Sequence, residues 1–93
     1  VIRSFADRRT KALFEGVPLK GIVPGLARRA RIKLQQLDAA TGLEFLRVPP
    51  GNRLEALRGN RAGQWSIRVN NRWRICFRFH GGDAHEVEFV DYH

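Results

Sequence analysis

Ninety-three residues, 43% of them hydrophobic and none in repeats or low-complexity runs, suit one compact domain spanning 1–93 rather than two. The 17 Lys and Arg outnumber 9 Asp and Glu for a net charge of +8, and arginine supplies 14 of those cations, so the expected partner is a polyanion or an acidic protein. A single cysteine, Cys76, excludes an intramolecular disulfide, no apolar run reaches membrane-span length, and the opening "VIRSFADRRT" lacks a secretory apolar stretch; a reducing, cytoplasmic setting is expected.

The first residues, "VIRSF", alternate and begin apolar, as a short strand does. Asp7 is then an N-cap for a helix over "RRTKALFE", and Gly16 is its stop. A loop with two prolines and three glycines, "GVPLKGIVPG", leads to a second helix from about Leu26 to Ala39. On a 3.6-residue wheel Leu26, Ala27, Ala30, Leu34 and Leu37 share one face, opposite Arg28, Arg29, Gln35 and Gln36; Ile32 falls on the polar side as an exposed aliphatic. The segment "TGLEFLRVPPGNR" is irregular, and four period-two segments follow it: "RLEAL", "QWSIRV", "RWRICFRF" and "AHEVEFVDYH". A pair of helices followed by a run of strands predicts an α+β domain, with both helices on one face of an antiparallel sheet.

The other face of that sheet is polar, and its members follow from parity. Trp65, Ile67 and Val69 point to the core, as do Trp73, Ile75, Phe77 and Phe79, so Ser66 and Arg68 share the opposite face with Arg72, Arg74, Cys76 and Arg78. A three-residue turn over Asn70, Asn71 and Arg72 pairs Val69 with Trp73 and sets Arg68 directly across from Arg74. Like charges facing each other destabilise a strand pair, so an anion is expected between them, and Arg74→Ala is expected to relieve the clash. Core residues must pair with core residues, which requires an odd loop or a bulge around "HGGD" and sets Glu86 or Glu88 across from Arg78 or Arg74 as neutralising partners. Alternation turns Tyr92 toward the arginines, with Asp91 and His93 away from them. Cys76 reads as a small strand residue, and His80 and His85 as solvated turn histidines with no zinc-type spacing.

These stretches carry a family resemblance. "RLEALRGNRAGQWSIRVNNRWRICFRF" and "VEFVDYH", with "RSF" and "ALFEG" near the start, resemble toxins of the RelE/ParE superfamily and, within it, the HigB branch, the plasmid-maintenance killer proteins. The resemblance implies two N-terminal helices on a curved antiparallel sheet, a helix-turn-helix antitoxin of HigA type bound in a hetero-oligomer, and cleavage of messenger RNA in the ribosomal A site. It also implies site residues: the terminal Asp91, Tyr92 and His93, and the strand arginine Arg74. One position departs, because members with a well-defined nuclease site carry histidine after the "RL" pair where this chain has Glu55.

RNA cleavage without a cofactor or metal needs a base for the 2′-hydroxyl proton, positive charge for the phosphorane oxygens and an acid for the 5′-oxygen. Arg74 with Arg68 suits the phosphate, His93 has the side chain whose ordinary pKa lies nearest neutrality, and Tyr92 suits stacking or proton donation. Asp91 suits orienting His93 or holding a nucleotide edge, and Glu55 reads equally as the base or as a surface glutamate. Arg53, Arg58, Arg61, Arg72 and Arg78 are candidate contacts to RNA. Two other activities stay open on this scaffold: a gyrase poison, as in the ParE branch, and a noncatalytic binder of RNA or the ribosome. The terminal Tyr-His pair favours the nuclease.

Overall fold

The computed structural model describes residues 1–92. Helix α1 spans Arg8–Glu15 and begins where the Asp7 carboxylate accepts from the Thr10 amide at 2.7 Å; it ends at Gly16, whose φ of 78° is the left-handed cap that glycine adopts at little cost. Helix α2 spans Pro24–Ala39, two residues longer than expected, because Pro24 starts a helix without needing an amide partner. Its face of Ala30, Leu34 and Leu37 is buried, and Ile32 is exposed as expected. Both helices pack on one face of the sheet, over Ile67, Ile75, Phe77, Val87 and Phe89.

The sheet has four antiparallel strands in the order β1 (Glu55–Ala56), β2 (Trp65–Arg68), β3 (Trp73–His80) and β4 (Asp83–Asp91). The expected first sheet strand over residues 53–57 shortens to two residues, since Arg53 turns into the left-handed region (φ 45°) just before it and the turn Gly59–Arg61 follows. Ile67 pairs with Ile75 and Arg68 with Arg74, the register that the Asn70–Arg72 turn predicts. The last hairpin turns on Gly81 and Gly82, both at positive φ, and its core residues stay aligned through a bulge between Cys76 and Arg78, with Glu86 at φ 52° on the opposite strand. Glu88 therefore faces Cys76 and Arg74 faces Val90, so neither glutamate lies across from an arginine; Arg78, paired with His85, reaches Glu86 diagonally at 2.7 Å.

The N-terminal residues do not form a regular strand. Ile2 and Phe5 make isolated parallel bridges to Ala84 and Val87, and the Thr10 hydroxyl and Arg9 guanidinium then bond the amide and carbonyl of Phe89 at 2.9 and 3.0 Å. The outer edge of β4 is thereby covered by side chains of α1 where backbone pairing stops. The free edge of this sheet lies at β1, beside the polar face.

Candidate functional site

The polar face divides into two parts. Near β1 a cleft of about 290 Å³ is lined by Arg53, Glu55, Arg68, Asn70, Asn71, Arg74 and Tyr92. It continues across Glu55 and Tyr92 into a second hollow of about 530 Å³, walled by Ala56, Leu57 and Arg58. The turn between β2 and β3 brings in the asparagines, β1 brings in Glu55, and the end of β4 brings in Tyr92, whose amide donates to the Arg72 carbonyl at 2.7 Å. Four arginines and one carboxylate line this continuous surface.

Arg68 and Arg74 face each other, but they are held differently. The Arg74 side chain is 11% exposed, and its Nε donates to the hydroxyl of the fully buried Ser66 at 2.8 Å. Its Nη2 donates to the Arg53 carbonyl at 2.6 Å and the Ser66 carbonyl at 3.4 Å, while Nη1 lies 3.5 Å from the Glu55 carboxylate. Tyr92 packs against it, with the guanidinium carbon 5.8 Å from the ring centroid. Arg68 donates to the Asn71 side chain and otherwise faces the cleft. The repulsion expected between the two is thus offset on the Arg74 side by Glu55 and by dipoles, so Arg74→Ala removes support and is no longer expected to relieve strain.

On the rest of the face each arginine has its own acid. Arg61 meets Glu88 at 3.1 Å, Arg78 meets Glu86 at 2.7 Å, and Arg72 meets Asp91 at 2.6 Å. The hydrogen bonds that Arg72 donates to Asp91 raise its already high pKa. Arg61, Arg72 and Arg78 do not line the cleft, whereas Arg53, Arg58, Arg68 and Arg74 do. Among the acid-base candidates the structure brings Glu55 and Tyr92 into it; Asp91 is turned toward Arg72, and His93 lies outside the described residues.

Three participants escape sequence reasoning. Asn70 accepts from the amides of Arg72 and Trp73 at 2.9 and 2.8 Å, which shapes the turn, and Asn71 steadies Arg68. The pair "NN" in a turn signals the first of these roles. Nothing local in the sequence marks Ser66 as a partner of Arg74.

Cys76 is fully buried, and burial pushes its thiol pKa up against the weaker pull of Arg61 and Arg74, as suits a packing residue. His80 and His85 stack at 3.9 Å on the hairpin, and no group of three His, Cys, Asp or Glu among the described residues is arranged to hold a metal.

Known proteins resemble this chain in sequence and in fold. The model of a family described as HigB-like toxin, the RelE-like toxin of type II toxin-antitoxin system HigB, matches residues 3–93. The chain belongs to the HigB-like toxin family. It is 38% identical over 93 residues, all of both chains, to a HigB-family protein of Proteus vulgaris named Endoribonuclease HigB. To Toxin HigB-1 of Vibrio cholerae serotype O1 it is 40% identical over 81 residues, 86% of this chain and 85% of that one. Among solved structures, a chain of the YoeB-YefM complex from Staphylococcus aureus superposes with a TM-score of 0.59 at 13% identity, covering 100% of this chain and 98% of the other, a likeness of fold.

Proposed function

We propose that this HigB-family toxin is an endoribonuclease that acts in the cytoplasm, cutting messenger RNA in the ribosomal A site and so stopping translation. The observation that carries this reading is the excess of positive charge in one cleft: Arg53, Arg58, Arg68 and Arg74 against Glu55, beside an exposed tyrosine ring. That composition suits a phosphate chain with bases stacked on a ring. The name of the Proteus vulgaris relative supports it.

The proposed chemistry runs through the side chains. The Glu55 carboxylate takes the 2′-hydroxyl proton as the 2′-oxygen bonds to phosphorus, Arg68 stabilises the phosphorane oxygens with the charge of Arg74 behind it, and an acid protonates the 5′-oxygen as the phosphorus–oxygen bond breaks. Tyr92 lines the cleft as stacking partner or acid; His93, with Asp91 to orient it, is assigned to the same proton transfer. Positioning of the message by the ribosome supplies a further large part of the rate, since orientation alone lowers the barrier.

A helix-turn-helix antitoxin is assigned to the helix side of the domain. The hollow between α1, the following loop and α2, about 400 Å³, is lined by Leu13, Val17, Leu19, Ile22 and Ala27 with Arg28 and Arg31 at its rim, and no acid lines it. An acidic amphipathic segment complements it and shares no residue with the cleft.

Primer extension on cellular messages after brief induction tests the reading. Discrete cuts in codon phase are expected; intact messages with broken DNA point to a gyrase poison, and intact messages with stalled translation point to a noncatalytic binder.

A further inference from the structure

We infer that Ser66 is a positioning residue of the cleft: through Arg74 it holds Glu55 and the Arg53 backbone in place, leaving Arg68, of the facing pair, as the arginine whose fork is open to phosphate. The inference rests on the nuclease reading and divides roles that parity treats as equal.

A guanidinium has five N–H groups. On Arg74, Nε points to the Ser66 hydroxyl, Nη2 to the carbonyls of Arg53 and Ser66, and Nη1 to Glu55, so both edges of the fork already face protein acceptors. A bidentate grip on phosphate needs two parallel N–H groups at once, and Arg74 offers them only by releasing these partners. Among the described residues Arg68 has one hydrogen-bond acceptor, Asn71, and it lies in the same cleft.

The groups that Arg74 does hold are themselves in need of holding. Arg53 sits in the left-handed region at φ 45°, uncommon for a residue with a side chain, immediately before the short strand that carries Glu55. Glu55 is 58% exposed, on a free edge of two residues, and pairs in the backbone with Ser66 itself. A carboxylate there would sample many rotamers without an anchor, and the arginine that anchors it is oriented in turn by a hydroxyl with no solvent access. Placing a hydroxyl at a fully buried strand position costs stability unless it is bonded, and the bond it makes leads to the cleft.

The test is a double-mutant cycle on ribosomes programmed with a short message, read by single-turnover cleavage, with binding read on the same message carrying a 2′-O-methyl group at the scissile nucleotide. Ser66→Ala should slow cleavage roughly tenfold to hundredfold, the scale of a small misplacement, while binding changes less than about twofold. In a Glu55→Gln background the same substitution should add less than about twofold, because residues acting through one another are not additive. Arg74→Lys, which keeps the charge and loses the fork, should reproduce the pattern by a route that leaves the serine in place, and serves if Ser66→Ala does not fold. A full, additive loss in both backgrounds, or a loss of binding as large as the loss of cleavage, overturns the positioning role while leaving the nuclease reading intact. Undiminished cleavage by Glu55→Gln and Arg68→Ala overturns the assignment of the cleft and this inference with it, and absence of cleavage by the unaltered protein overturns the nuclease reading itself.

Discussion

The two halves of the polar face carry arginines at similar density and use them in opposite ways. Along β3 and β4, Arg61, Arg72 and Arg78 each meet a carboxylate within 3.1 Å, and the charge there closes on itself. Around β1, Arg53, Arg58, Arg68 and Arg74 line a cleft that holds one carboxylate, Glu55, and that carboxylate lies against Arg74. A basic composition therefore does not make a basic face; what remains after internal pairing does, and on this face it remains at one cleft. Exposed pairs are individually weak, so the first half is a solvated surface and the second a site with an unanswered charge.

Deleting Asp91 to His93 would break the contrast most completely. It should abolish growth arrest at equal expression while the antitoxin still binds, as co-purification would show, because the helix-side hollow is untouched. Arg68→Ala should follow, slowing cleavage about hundredfold by analogy with the loss of one oxyanion donor. It should also flatten the dependence of binding on log salt by about 0.7, the share of one phosphate contact on a single strand. The third test is one of stability. Arg74→Ala leaves the buried Ser66 hydroxyl without its donor and should cost about 1–3 kcal/mol in a denaturant titration; an increase in stability would restore the view of the pair as a simple clash. Smallest is Arg78→Ala, whose half-exposed pair with Glu86 should contribute less than about 1 kcal/mol, with the weakest effect on toxicity of any arginine tested.

Much of this arrangement is written locally. Asp7 and Gly16 announce the ends of α1 because capping is a matter of a few adjacent atoms. The turn over Asn70 to Arg72 and the alternation on either side of it are enough to place Arg68 across from Arg74, since a strand has only two faces and the turn sets the register. The same rule required an odd loop or a bulge in the last hairpin, and the folded chain has the bulge. Where reasoning from pattern failed, the missing information was lateral. Parity says that Arg72 and Arg74 share a face; it does not say that Arg72 bends to Asp91 at the end of the strand while Arg74 lies back over Ser66. It also missed the shortness of β1, which depends on a left-handed Arg53 that no glycine or asparagine advertises.

Composition, periodicity and turn chemistry alone thus carry the α+β class, the core face, the facing arginines and the basic character of the partner. Which arginines stay unanswered is set by the folded chain. Arg61 finds Glu88 and Arg74 finds the Arg53 carbonyl across 27 and 21 residues of sequence. Long flexible side chains choose among whatever acceptors folding brings within reach, and that competition is decided in three dimensions.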